Sequence, residues 1–165
     1  MQTIDFIKMS LEMSGSWILA LAKDMQDAPL TMPTSTGGNH PMWCVGHLAY
    51  SEANLVNVLI KGEEHPFPEW EGMFKQGGEV YTEDSKYPAY EDVISKLEEV
   101  RTATLALLDT LTDDDLDKPS HAEGNMKDFF GTIGACLAVI VIHYSFHGGQ
   151  IADARRALGR PPLMG

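Results

Sequence analysis

Ile7, Leu11, Ser14, Ile18, Leu21 and Met25 follow one another at spacings of 4, 3, 4, 3 and 4 residues. That period keeps one stripe of a helix apolar, and it predicts a first helix over about residues 3–28, stopped by Pro29. The stretch "PLTMPTSTGGNHP" that follows is dense in Pro, Gly, Ser, Thr and Asn and reads as a loop. A second helix is predicted from about Met42 to Lys61, with Gly62 as its C-cap. Its apolar positions Val45, Leu48, Ala49, Val56 and Leu59 form a broad face that meets the flank carrying His47.

Residues 62–88 hold three prolines and four glycines, so a connection of 27 residues is expected there, with a short turn around Glu69 to Phe74. A link that long can cross the end of a bundle, which frees the flanking helices from being antiparallel neighbours. The third helix, about Ala89 to Leu111, carries its stripe in Val93, Leu97, Val100, Thr104, Leu107 and Leu111. Lys96, Glu98, Glu99 and Arg101 fall on its exposed side. "TDDDLDKPSHAEGN" then breaks the pattern, its run Asp113 to Asp115 reading as a solvated turn or a helix start. The fourth helix is expected from about Met126 to Leu158, ended by Gly159, Pro161 and Pro162. Its inward stripe is Phe129, Ile133, Cys136, Ile140, His143, His147, Gln150 and Ala154.

No period-2 alternation and no internal repeat competes with these helices, so the expected fold is all-α, a four-helix bundle forming one domain over residues 1–165. The 24 acidic against 12 basic side chains give a net charge of −12, which repels phosphate backbones and anionic lipid. Nucleic acid and membrane are therefore not expected as partners, whereas a metal cation is welcome. The N-terminus lacks the basic start and apolar run of a signal peptide, and a cytoplasmic protein is expected. Cys44 and Cys136 are too few for a disulfide framework and read as buried, reduced thiols.

Two histidines interrupt the most apolar helix, in "IHYSFHGGQ". His143 and His147 differ by about 40° around the helix axis and lie one turn apart, so both rings can reach one point. Alone, such a pair is either two neutral, hydrogen-bonded core imidazoles or half of a metal site. His47, set among Val45, Leu48 and Ala49, offers a third imidazole from the second helix. Three inward histidines would hold a divalent cation and leave coordination positions open, as a reactive site requires. Gln150, one turn beyond His147, could assist by binding a water or substrate there, or stand as a plain core-edge amide. His40 and His65 each precede a proline in a loop and His121 lies in the acidic linker, so none competes as a ligand. Glu52 reads as an exposed or supporting carboxylate, while Tyr50, Asn54 and Tyr144 are candidates to line the pocket.

Trp43 followed by "GHLAYSE" on the second helix, the His143 and His147 pair with its "GGQ", and the "RRALGRPP" ending occur together in this order. In that combination the whole chain resembles the DinB family, the DinB/YfiT-like metalloenzymes. The resemblance implies an up-down-down-up four-helix bundle with a long crossover between helices 2 and 3. It also implies a divalent metal, nickel or zinc, held by three histidines, and commonly a homodimer. Relatives of this kind include thiol-dependent transferases and isomerases, so the implied partner is a small molecule such as a low-molecular-weight thiol. The metal would lower the pKa of a bound water or thiol, which leads to hydrolysis or thiol S-transfer. An anionic thiol would need a basic patch, for which Arg155, Arg156 and Arg160 are the candidates. The competing readings are a non-catalytic metal- or ligand-binding bundle connected with stress, and a purely structural polar layer.

Overall fold

The periodic segments fold as helices, and the computed structural model describes residues 1–163. Among these residues there is no strand, only an isolated bridge between Pro119 and Thr132. Helix α1 spans Thr3–Asp24 and buries Ile4, Leu11, Ile18 and Leu21. It ends sooner than residue 28, because Met25 leaves helical geometry and its N–H turns back to the carbonyls of Ala22 and Lys23.

Helix α2 spans Pro41–Ala53 and continues as a wider π-helical stretch over Asn54–Ile60. Pro41 suits a first turn because its missing N–H would have had no partner there. The His40 ring caps the same turn by accepting from the Trp43 N–H at 3.1 Å. Gly62 ends the element at φ +70°, a conformation costly for any residue with a Cβ. The 62–88 connection contains a 3₁₀ turn, Pro68–Trp70, running into the short α3, Glu71–Phe74. Helix α4 spans Tyr90–Leu108.

The expected fourth helix is interrupted. A turn at Gly124–Met126 leads into α5, Lys127–Phe130, and only after Gly131 and Thr132 does α6 run from Ile133 to Ala157. Thr132 is extended at φ −130° and its hydroxyl accepts from the Ala135 N–H at 3.1 Å, so it starts a new helix instead of continuing the old one. Ser120 N–H to Gly131 and Ile133 N–H to Lys118 tie the break to the preceding linker. Phe129, expected on the inward stripe, is consequently 72% exposed.

Helix α1 packs along α6, where Asp24 meets Arg155 and Ile18 faces Gly148. Lys8 pairs with Asp109 and Lys23 with Glu98 between α1 and α4. Cys44 meets Gln150 and Glu52 meets Tyr144 between α2 and α6, and Glu52 lines a small cavity with Thr104 of α4. Arg101 departs from its expected outward place: it is half-buried, reaching past α1 to donate to the Leu11 carbonyl at 3.3 Å and lying over the Tyr144 ring. Gly15 makes that path possible, since a Cβ there would sit 2.0 Å from the Arg101 Nε. Cys44 and Cys136 are both free and buried.

Helix α6 has the length and mean hydropathy, 1.3, of a membrane span. Packing against α1 and α2 accounts for its apolar inner side, while Ile142 and Phe146 of α6 are exposed, as are Phe6, Met13 and Trp17 of α1.

Candidate metal centre

The α2 face that buries Val45, Leu48 and Ala49 carries His47 to the α6 face that carries His143 and His147. One donor nitrogen from each of the three rings lies within 4.8 Å of the others. His47 and His147 are buried and His143 is half-buried, with ring centroids 4.6 to 5.1 Å apart and steeply inclined planes.

Two of the rings are held from behind. His47 Nδ1 donates to the Phe74 carbonyl at 2.6 Å, and His147 Nδ1 donates to the Gln150 Oε1 at 2.7 Å. A carbonyl oxygen can only accept, so both Nδ1 atoms must bear the proton and both Nε2 atoms keep a free lone pair. His143 Nε2 stands 2.9 Å from His147 Nε2, so without a metal this pair shares the one proton His143 can supply. A divalent cation would take that proton's place, and imidazole nitrogens with Nδ1 fixed by carbonyl oxygens are the usual donor set for one. The three residues therefore fit a metal.

The support for His47 is built from a glycine. Gly46 lies against the Phe74 ring so closely that a Cβ would come within 2.1 Å of it, and that contact seats the α3 segment whose carbonyl holds His47. Trp43 stacks on His47 with centroids 4.3 Å apart, fixing its plane from the other side. Burial lowers the pKa of all three imidazoles, to about 3 for His143, where His147 and His47 add repulsion, and to about 4 for His147. They are neutral near pH 7, the state a metal ligand requires.

A pocket of about 480 Å³ opens beside His47 and His143. Tyr50 and Asn54 line it as the sequence suggested, joined by Ser51 and Leu55 of α2, Phe130, Val139, and Glu71, Lys75 and Gln76 from the connection. Ser51 follows His47 by one turn, a spacing that could have flagged it; the connection's residues left no comparable signal.

Other candidates lie elsewhere. Tyr144 is buried and donates to Glu52, facing the α1–α4 side of the core. Glu52 is 2% exposed, so of its two readings, exposed or supporting, the exposed one is corrected. Gln150 stands behind His147, where its oxygen also accepts from the Cys44 thiol at 3.4 Å. His40 caps α2, His65 stacks on Tyr50, and exposed His121 lies near Gly62, so none joins the cluster. The three arginines named as candidates for a basic patch are each paired: Arg155 is buried against Asp24, Arg160 binds Asp24 and Asp27, and Arg156 faces Asp153.

A family model described as the DinB superfamily matches residues 11–151. The chain belongs to the DinB superfamily. No curated protein matches it. The DinB match spans all three histidines, the Phe74 carbonyl and Gln150, and stops short of Arg155. Metal binding is frequent in the DinB family, and the histidine cluster of this member could hold an ion.

Proposed function

We propose that this protein is a divalent-metal-dependent transferase or hydrolase whose cation, zinc or nickel, is held by His47, His143 and His147. The observation that carries the reading is the pair of Nδ1 protons committed to Phe74 and Gln150, which leaves Nε2 lone pairs at a cluster opening onto a pocket. Three protein ligands leave a position for a reactant. When bound, the cation would supply Lewis acidity, easing loss of the proton of a water or thiol near neutral pH. The chain's own part is to fix the rings and hold the reactant between His143 and Ser51.

The proposed architecture is a single up-down-down-up four-helix bundle of α1, α2, α4 and α6. Contacts from Asp24 to Arg155, Lys8 to Asp109 and Cys44 to Gln150 support it, as does the long connection between α2 and α4. The exposed apolar residues of α1 and α6 support a homodimer. A cytoplasmic location completes the reading.

The test begins with metal analysis and calorimetric titration of the metal-free protein with Zn²⁺ and Ni²⁺. Saturable binding lost in His143→Ala is expected. Metal-dependent turnover of an activated ester, or of monobromobimane with a low-molecular-weight thiol, would establish catalysis; metal binding without turnover of either would favour a binding protein.

A further inference from the structure

The walls of the pocket differ from one end to the other. From His47, α2 presents Ser51 and then Leu55 at successive turns, while α6 presents Val139 one turn before His143. Eight residues of helix rise about 12 Å, so the floor changes from imidazole to hydrocarbon over that length. Phe130 of α5 closes the apolar end, placed there by the break at Gly131 and Thr132.

The pocket's own side-chain charges are balanced. The pocket's two charged residues are Glu71 and Lys75, and they bind each other at 2.6 Å. The arginines nearest the end of α6 are committed to Asp24, Asp27 and Asp153. A ligand whose body carried a charge along the Leu55 and Val139 wall would lose hydration and find no unpaired partner there, whereas its head would meet the cation held by three neutral imidazoles.

Resting on the metal-centre reading above, we infer that the substrate is a small molecule with a polar head for the metal centre and an uncharged, apolar body along Leu55, Phe130 and Val139. A volume of about 480 Å³ suits a compact ligand of this kind. Selection then comes from burial of the body, with Ser51 and Asn54 left to orient the head.

Unbranched alkyl hydroxamates, from acetyl to octanoyl, test this on the zinc-loaded full chain by calorimetry. Their head seeks the metal and their tail probes the wall. Affinity should rise about three- to fourfold per methylene until the wall is covered. A tail ending in carboxylate should bind at least tenfold more weakly than its methyl-ended counterpart. Val139→Asp should flatten the length series; Phe130→Ser serves the same purpose if Val139→Asp does not fold. A length-independent affinity, or tighter binding of the carboxylate tails, overturns the inference. The matching alkyl amides, which chelate poorly, separate the two readings. If zinc does not bind but amide affinity still rises with length and falls in Val139→Asp, the metal reading fails and the apolar wall stands; zinc binding with a flat series has the reverse meaning.

Discussion

His147 Nδ1 lies 2.7 Å from the Gln150 Oε1, one turn further along α6, and that oxygen has the Cys44 thiol as a second donor. The amide is thereby held on two sides and fixes both the tautomer and the plane of the ring. Gln150→Leu keeps the size of the side chain and removes the acceptor. Metal affinity should fall roughly 10- to 100-fold, with helical circular dichroism unchanged. Gln150→Glu retains an acceptor and should keep most of the affinity. Equal affinity of Gln150→Leu and the parent would mean that the bond does not position the ring.

Gly46→Ala acts on the other supported ring. Its methyl would meet Phe74 at about 2.1 Å, and the ring cannot yield without shifting the carbonyl that accepts from His47. The expected result is metal affinity lowered by a similar factor of roughly 10 to 100, together with faster proteolysis in residues 71–78. An unchanged cleavage rate at that segment would show that the Gly46 contact does not seat it.

How much of this was legible depends on the range of the interaction concerned. The i, i+4 spacing of His143 and His147 carries its own geometry, and the caps at Gly62 and Gly159 are local; both glycines have positive φ, +70° and +74°. Thr132 is local too, yet it was hidden: an apolar pattern continues on both sides of it, and only pairing with Lys118 to Ser120 shows that the helix restarts. Arg101, and Glu52 so far as it was read as exposed, were misread for a different reason. Charge on a helix flank normally faces water, and nothing in α4 alone reveals that Gly15, on another helix, leaves a channel inward. The arginines of α6 were similarly visible as charges, whereas their neutralisation by Asp24 and Asp27 required the tertiary fold.

The metal-free protein should be acid-sensitive. Burial, with repulsion from the neighbouring imidazoles, holds His143 at about 3, and burial holds His147 at about 4, while an unfolded imidazole titrates near 6.5. Between those values the unfolded chain binds more protons than the folded one. The stability these residues contribute is therefore complete above pH 6.5 and declines as pH falls toward 4, each histidine by roughly 1.4 kcal/mol per pH unit. The urea midpoint measured at pH 7.5, 6 and 5 should drop steadily, and the slope should shrink in the His143→Gln, His147→Gln double variant. A midpoint that holds between pH 7.5 and 5 would show that these imidazoles are not buried neutral.

Gly15→Ala tests the polar layer beneath the site. Arg101 crosses α1 where the new methyl would stand, about 2.0 Å from its Nε, on the way to the Leu11 carbonyl and the Tyr144 ring. Tyr144 in turn donates to buried Glu52, so the guanidinium is the cation of a cluster joining α1, α2, α4 and α6. Overpacking alone costs about 1–3 kcal/mol. Driving Arg101 outward also gives up its bond to the Leu11 carbonyl and its place over the Tyr144 ring, which raises the expected loss to about 2–4 kcal/mol. The cause is separable by a double-mutant cycle. With Arg101→Ala in place the channel is empty, so Gly15→Ala should then cost at least 1 kcal/mol less than it does in the parent. Additive losses would instead assign the effect of the methyl to α1 itself, and Gly15 would have no special relation to Arg101.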